Sequence, residues 1–197
     1  MTMIEEALTQ TTDTKACEIG PGATEATAKM FRELFPDAEK ALVIDDPRTR
    51  AVAGERVISL LKSSGVEVSE HVINPDGSDF HATYEKVEEV REAVAASGGA
   101  VPVAVGSGVI NDLTKRASGE LGALYMVVGT AASMDGYTAA NSAITKDGMK
   151  QTMNCKAPLG CIVDSAVAAA APKEMTASGY EPIPKRLLLF TFILSPT

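Results

Sequence analysis

Apolar and polar positions alternate along this chain in blocks that predict strands followed by helices. Short apolar runs are bounded by turn residues, and the stretches between them carry apolar residues at helical spacing. Strands and helices that alternate in this order form a mainly parallel sheet with helices on both faces. We therefore predict an α/β, Rossmann-like fold. The predicted strands are 41–44, 66–73, 101–105, 123–128 and 159–163, and the predicted helices are 23–35, 47–63, 82–96, 111–118 and one starting near Pro172.

Two parts of the chain depart from this alternation. Asp147 and Gly148 lie between two modest runs in residues 141–154, which predicts a β-hairpin. Residues 1–22 are polar and weakly patterned, and we expect them to form an N-terminal segment ahead of the α/β domain. The domain then covers residues 23–172, and a separate final segment covers 173–197.

Composition and charge exclude two classes of partner. The chain has 197 residues, of which 45% are hydrophobic and 5% aromatic, which fits one domain with a mainly aliphatic core. A net charge of −8 argues against binding to nucleic acid or to an anionic membrane surface. The apolar run at 187–194 is shorter than the about 20 residues that span a bilayer. The acidic N-terminus lacks a signal sequence, so we expect a cytoplasmic protein.

Neither the cysteines nor the histidines form a metal-binding pattern. Cys17, Cys155 and Cys161 are odd in number and are not at zinc-ribbon spacing, so we expect reduced thiols. His71 and His81 are the only histidines, and neither lies at ligand spacing from a second histidine and a carboxylate. We interpret both histidines as surface or strand-end residues and predict no metal site.

Two segments of small residues follow predicted strands about twenty residues apart. A strand that opens into such a bend and then a helix exposes backbone N–H groups, which is where α/β proteins bind phosphates. The first bend lacks the third glycine of the dinucleotide fingerprint G-x-G-x-x-G, so a tight structural turn remains an equal alternative. The first bend comprises Gly106, Ser107, Gly108, Val109 and Ile110, and the second comprises Thr130, Ala131, Ala132 and Ser133.

An acidic pair follows the strand at 41–44. Asp45 and Asp46 lie where an acidic residue commonly accepts the ribose hydroxyls of NAD and disfavours a 2′-phosphate. Asp46 also precedes Pro47, and this order is equally typical of an N-cap followed by the first helical residue. The two interpretations stay open.

Further polar side chains lie at the two bends. Thr130 and Ser133 offer hydroxyls that suit a phosphate, a ribose or a helix cap. Asp135 precedes a glycine, where it is either a turn residue or a group facing a cleft. Asn111 and Asp112 suit either N-capping or contact with a ligand.

Four segments resemble the sn-glycerol-1-phosphate dehydrogenases of the iron-containing alcohol dehydrogenase and dehydroquinate synthase-like superfamily. The resemblance covers about residues 40–180, and SMDGY at 133–137 is its most specific motif. That motif favours this family over glycerol dehydrogenase or a dehydroquinate synthase-like enzyme. The segments are GSGVINDLTK at 106–115, TAASMDGYTAANSAI at 130–144, KAPLGCIVD at 156–164 and APKEMTASGY at 171–180.

The resemblance implies an enzyme with an NAD(P)-binding domain, here 23–172, and an all-helical domain that carries a divalent metal, usually zinc. Such an enzyme reduces dihydroxyacetone phosphate to sn-glycerol 1-phosphate, an ether phospholipid precursor, and the full-length form is implied to be a homo-oligomer. The bend at 106–110 would hold the cofactor pyrophosphate, and Thr130 and Ser133 would lie near the nicotinamide. Asp135 would bind substrate, and Asp45 or Asp46 would bind the adenosine ribose.

The chain departs from the family at two places. Ala139 stands where the family has a serine, so one cofactor contact is missing. Pro182 stands where the family has its first metal-ligating Asp, and the residues that follow match nothing expected there. We interpret 173–197 as the start of the helical domain followed by an aberrant apolar tail, with the rest of that domain absent.

This second departure concerns catalysis. A Lewis acid polarises the substrate carbonyl during hydride transfer, so we expect this chain alone to bind NAD(P) without being a competent dehydrogenase. A nucleotide-binding module without catalysis is the alternative.

Overall fold

Eight strands form the framework of residues 3–180, which are the part of the chain that this computed structural model describes. Six of them are short and parallel, and five of these six lie where the alternating pattern predicted strands. The strands are β1 (Ala16–Gly20), β2 (Lys40–Asp45), β3 (Glu67–Val72), β4 (Val101–Gly106), β5 (Met126–Gly129), β6 (Asn141–Lys146), β7 (Met149–Asn154) and β8 (Gly160–Asp164).

Helices connect most of these strands. A 3-10 turn at Ala23–Ala26 leads into the second helix, and a π-helical stretch at Arg50–Gly54 joins the third and fourth helices into one winding segment. The helices are α1 (Met3–Thr9), α2 (Thr27–Leu34), α3 (Pro47–Thr49), α4 (Glu55–Ser63), α5 (Tyr84–Ala96), α6 (Gly108–Leu121), α7 (Ser165–Ala170) and α8 (Lys173–Tyr180). None of the helices in this described part is long and apolar enough to cross a membrane.

The main sheet has the strand order β1-β8-β5-β4-β2-β3, and all five neighbouring pairs are parallel. The predicted parallel sheet is therefore confirmed. Strands β6 and β7 pair antiparallel as a separate hairpin, and its turn at Asp147 and Gly148 has positive φ at both residues. This is the geometry that an Asp-Gly hairpin turn adopts.

Two layers of helices bury the two faces of the sheet, as predicted. Helices α2 and α4 pack on one face and α5 and α6 on the other. Because both faces are covered, the central strands are apolar on both sides rather than alternating. The first face joins Phe31, Val57 and Leu61 to Val43, Val105 and Ile162, and the second joins Val90, Leu113 and Ala117 to Ile44, Ala104 and Val127.

Strand β1 lies inside the segment 1–22, which we expected to precede the domain. It pairs in register with β8, so that Cys17 lies opposite Cys161. None of its residues is fully buried, because it forms one edge of the sheet. A partly exposed edge strand has no continuous apolar run, and its weak pattern therefore misled the sequence interpretation. The sheet begins before residue 23.

Two expectations about the bends also need correction. Helix α6 begins at Gly108 rather than near residue 111, so the first glycine bend is itself the start of the helix. No helix follows β5, because residues 130–140 form an irregular loop that leads to the hairpin.

The chain changes direction across the sheet between β2 and β4. From β2 it passes through α4 to β3 on one side, and it then returns through α5 to β4 on the other side of β2. In open parallel sheets, ligands bind at the carboxyl ends of the strands at such a reversal. The fold therefore places its crevice beside the ends of β2 and β4.

Candidate functional site

The two bends of small residues meet in space. Strands β4 and β5 are neighbours, with Gly106 opposite Gly129. The backbone N–H of Thr130 donates a hydrogen bond to the carbonyl oxygen of Gly106 over 3.1 Å. The bends therefore form one continuous edge at the carboxyl ends of the two strands.

The first bend presents free amides at the start of α6. Ser107 is the N-cap residue and makes no side-chain capping hydrogen bond. The first backbone bond of the helix runs from the N–H of Asn111 to the carbonyl of Ser107 over 3.1 Å, so the three preceding N–H groups have no acceptor within the helix. Together with the positive end of a 14-residue helix, these donors suit a phosphate.

A cleft of about 730 Å³ lies beside these amides. Its walls come from the segments that follow β2, β3, β4, β5 and β8, so it occupies the crevice that the strand order indicates. Apolar side chains and a few polar groups share the lining, as is usual in cofactor sites. The lining includes residues 46–49, Val52, residues 77–80, Ser107, Val109, Ile110, Thr130, Ala131, and parts of 166–175.

The acidic pair after β2 is split between this cleft and the core. Asp46 lines the cleft, and its carboxylate accepts the N–H of Thr49 over 2.7 Å. The Thr49 hydroxyl returns a bond to the Asp46 backbone, so a capping box precedes Pro47 as predicted. Asp45 has no exposed surface and points to the same face as Val43, under the π-helical stretch. Of the two candidates for the ribose, only Asp46 faces the cleft.

The buried Asp45 has an unusual environment. Neither of its carboxylate oxygens has a hydrogen-bond partner. Burial, followed by the nearby charge of Glu70, raises the pKa of Asp45 to about 7. The backbone of Gly54 closes over this carboxylate, since a Cβ placed on that glycine would clash with Asp45 Oδ2.

The glycines of the first bend are needed for packing. A Cβ on Gly106 would lie 2.5 Å from the side chain of Ile110, and a Cβ on Gly108 would lie 2.7 Å from the Met134 sulfur. The structural explanation for these glycines is therefore sufficient by itself. Access for a phosphate is compatible with it but is not required to explain the residues.

A smaller cleft of about 500 Å³ adjoins the first. Ser133 and Gly108 line it, while Ser107, Val109 and Met175 line both clefts. Thr130 lines the larger cleft, so the two candidate hydroxyls belong to different clefts. Asp135 is half-buried and is not among the residues that line either cleft.

Polar side chains of α6 fix the loop that follows β5. The amide of Asn111 donates to the Tyr137 carbonyl over 3.4 Å and accepts the Tyr125 hydroxyl over 3.0 Å. Asp112 accepts the N–H of Ala143 over 3.1 Å at the start of the hairpin. Asn111 and Asp112 thus position residues 130–143 rather than cap the helix, and Asp112 also lines the smaller cleft beside the first bend.

Lys115 completes this framework and was missed by the sequence interpretation. Its ammonium has no exposed surface and donates to the carbonyls of Gly136 and Asn141 over 2.9 and 3.0 Å. Burial lowers the pKa of Lys115, and Asp112, 3.8 Å away, opposes that shift. Lys115 lies four residues after Asn111, on the same face of α6. This spacing was the sequence feature that could have indicated a shared role.

No metal site is present among residues 3–180, where no group of three or more histidine, cysteine or acidic side chains is arranged to hold an ion. His71 pairs with Glu89 over 3.2 Å, and His81 lines the smaller cleft. The residues that the structure describes therefore do not fit a zinc site. Pro182, expected at a metal-ligand position, lies outside the described residues.

These features agree with the comparisons to known proteins. Residues 18–172 match the family described as iron-containing alcohol dehydrogenase. The chain belongs to this family.

Two curated relatives of the chain share one name. The chain is 34% identical over 143 residues to the glycerol-1-phosphate dehydrogenase [NAD(P)+] of Halalkalibacterium halodurans. The aligned region covers 70% of this chain and 35% of that protein. It is 31% identical over 160 residues to the protein of the same name from Methanothermobacter thermautotrophicus, covering 81% of the chain and 44% of that protein. The chain thus spans less than half the length of these relatives.

Solved structures share the fold. A probable glycerol dehydrogenase from Sinorhizobium meliloti 1021 superposes with a TM-score of 0.70 at 22% identity, covering 84% of this chain and 43% of that one. The NADH-dependent butanol dehydrogenase A of Thermotoga maritima superposes with a TM-score of 0.73 at 18% identity, covering 86% of this chain and 47% of that one. At these identities the likeness shows the α/β fold alone.

Proposed function

We propose that this chain binds a nicotinamide dinucleotide in the 730 Å³ cleft, as the nucleotide-binding part of an sn-glycerol-1-phosphate dehydrogenase. The hydrogen bond from Thr130 to Gly106 carries the proposal, because it joins both bends into one wall of that cleft. The curated relatives named glycerol-1-phosphate dehydrogenase support the choice of reaction.

The free amides of the first bend bind the pyrophosphate. They belong to Gly108, Val109 and Ile110, and they point out of the first turn of α6, where negative charge is stabilised. Ser107, whose hydroxyl makes no capping bond, adds a donor beside them. This arrangement orients the dinucleotide along the edge where β4 and β5 end.

The dinucleotide then extends from Asp46 in the larger cleft along the bend toward the smaller cleft. Asp46, held by its capping box at the end of β2, accepts hydroxyls of the adenosine ribose. The family resemblance supports the other roles. Thr130 in the larger cleft and Ser133 in the smaller one lie toward the nicotinamide. Asp135, next to Met134 of the smaller cleft, binds the substrate. When bound, the cofactor supplies or accepts the hydride that interconverts dihydroxyacetone phosphate and sn-glycerol 1-phosphate.

Catalysis by this chain alone is a separate matter. Pro182 stands where the resemblance places a metal-ligating Asp, and a proline side chain offers no ligand atom. We therefore propose that the 197-residue chain binds NAD(P) without turnover. An active enzyme of this family would supply a precursor of ether phospholipids in the cytoplasm and would act as a homo-oligomer.

Titration of the purified chain with NADH, followed by calorimetry, tests the binding. Val109→Asp places a carboxylate at the free amides and is expected to weaken NADH at least about tenfold by charge repulsion. Leu121→Asp is the matched control, because it makes the same class of change in the exposed last turn of the same helix. Equal weakening by both variants, or no NADH binding by the unaltered chain, would contradict the proposal.

An activity assay separates the two candidate functions. NADH oxidation is followed with dihydroxyacetone phosphate and added zinc. Binding without oxidation supports the nucleotide-binding module, and turnover by the chain would show that it is a dehydrogenase in its own right.

A further inference from the structure

One cation lies in the wall of the larger cleft, two residues after Asp46. Among the described residues that line this cleft, Arg48 is the only one with a positive charge. Its Nη2 lies 2.8 Å from Oδ1 of Asp79, which belongs to the loop after β3. The pair therefore bridges the segments that follow β2 and β3 at the same cleft that Asp46 lines.

This ion pair is exposed and therefore easy to exchange. The side chains of Arg48 and Asp79 keep 71% and 83% of their surface exposed. Exposed pairs of this kind contribute little stability, because water screens the charges and both side chains lose freedom. A dianionic phosphate, in contrast, accepts two parallel hydrogen bonds from a guanidinium and holds it more strongly than a solvated carboxylate does.

The neighbouring arginine cannot take this role. Arg50 is held by Glu70, whose Oε1 accepts from its Nε over 2.6 Å, and its Nη1 lies 3.5 Å from Glu55. It does not line the cleft. Among the arginines that the structure describes, Arg48 is thus the one that lies beside Asp46 and is free to turn toward a ligand.

We propose that Arg48 is the residue that admits the adenosine 2′-phosphate of NADP(H), and that Asp79 holds its guanidinium when NAD(H) is bound. The inference rests on the proposed dinucleotide site, in which Asp46 marks the ribose. A 2′-phosphate on that ribose lies next to Asp46, where it needs a nearby cation to offset the carboxylate. Exchange of Arg48 from Asp79 to the phosphate provides that cation.

Dissociation constants for NADH and NADPH, measured side by side by calorimetry, test this role. Arg48→Gln is expected to weaken NADPH about 10- to 100-fold, the loss of a charge-assisted bidentate contact, while NADH changes less than about threefold. Asp79→Asn removes the competing carboxylate and is expected to strengthen NADPH about two- to fivefold. Adenosine 2′,5′-bisphosphate and adenosine 5′-monophosphate serve as probes that isolate the 2′-phosphate.

Arg56→Gln is the matched control. Arg56 forms a similar exposed pair with Glu25 and lines neither cleft, so its loss is expected to leave both constants unchanged. An NADPH to NADH ratio that Arg48→Gln leaves within about twofold overturns the inference. NADH binding with no detectable NADPH binding by the unaltered chain also overturns it, and leaves the proposed function standing. Failure to bind either nucleotide contradicts the proposed function and this inference together.

Discussion

The amide of Thr130 donates a hydrogen bond to the carbonyl of Gly106 across 3.1 Å, and this contact joins segments that are 24 positions apart in the chain. Gly106 begins the bend after β4, and Thr130 begins the bend after β5. The bond fixes the second bend against the first, so that the start of α6 and the loop at 130–140 face the clefts together. Because the site depends on this alignment, residues that hold the loop matter as much as those that line the cleft.

A substitution of Lys115 tests whether the residues that hold the loop at 130–140 stabilise the fold. Lys115→Met removes a buried ammonium and leaves the carbonyls of Gly136 and Asn141 without their donor. We expect the free energy of unfolding to fall by about 2–4 kcal/mol, measured by urea denaturation. Lys62→Met, at an exposed position late in α4, is the control and should change stability by less than about 0.5 kcal/mol. An equal effect of both changes would show that the buried contacts of Lys115 do not stabilise the fold.

Asp45 predicts an unusual dependence of stability on pH. Its pKa is raised to about 7 in the folded protein, and in the unfolded chain it is near the ordinary value of about 3.9. The folded state therefore holds the proton more tightly, so this stabilising contribution is full below pH 4 and is lost as the pH rises toward 7. Between pH 5 and 7 we expect a loss of roughly 1–3 kcal/mol from this group.

Asp45→Asn isolates this contribution. Urea denaturation of the variant should lack that part of the pH dependence, because the amide does not titrate. Asp37→Asn, at an exposed turn before β2, should keep the profile of the unaltered chain. A profile in the Asp45 variant that matches the unaltered chain would show that Asp45 is not the group responsible.

Asp46 has a capping role and a proposed binding role, and two substitutions should affect protein stability and NADH affinity differently. Asp46→Ala loses the capping box at Thr49 and should cost about 1 kcal/mol of stability as well as NADH affinity. Asp46→Ser keeps an N-capping hydroxyl and should retain most of the stability, but it should weaken NADH roughly tenfold because the carboxylate for the ribose is gone. Calorimetric titration together with urea denaturation measures both. Unchanged NADH affinity in the serine variant would limit Asp46 to a structural role.

Substitutions at Gly106 and Ile110 should be coupled in their effects on stability. Gly106→Ala places a methyl group where the Ile110 side chain lies, and we expect a loss of about 1–3 kcal/mol. In an Ile110→Gly background the same change should cost less, because the Cβ and Cγ1 atoms of Ile110, 2.6 and 2.5 Å from the added methyl group, have been removed. A double-mutant cycle measured by denaturation gives the coupling. Strict additivity would refute the packing explanation for this glycine.

The sheet and both helical layers could be predicted from the sequence because the central strands are buried on both faces. Their apolar runs, such as VPVAV at 101–105, have the length of a buried strand and are too short for a buried helix. Strand β1 could not be predicted, since an edge strand exposes polar residues such as Glu18.

The site was predicted in outline but not in its orientation. Asp45 and Asp46 are consecutive, so one had to point to each side of the strand end, and only the register with Val43 decides which one enters the core. Lys115 was missed for a different reason. A lysine in a helix usually lies at the surface, and only the three-dimensional position of the 136–141 carbonyls brings it inside.

Hydrogen–deuterium exchange of the chain with and without saturating NADH tests the central claim most directly. A single dinucleotide site formed by both bends predicts slower amide exchange in peptides covering 106–110 and 130–133 together. Slower exchange in only one of these segments, or in neither, would contradict the joint site.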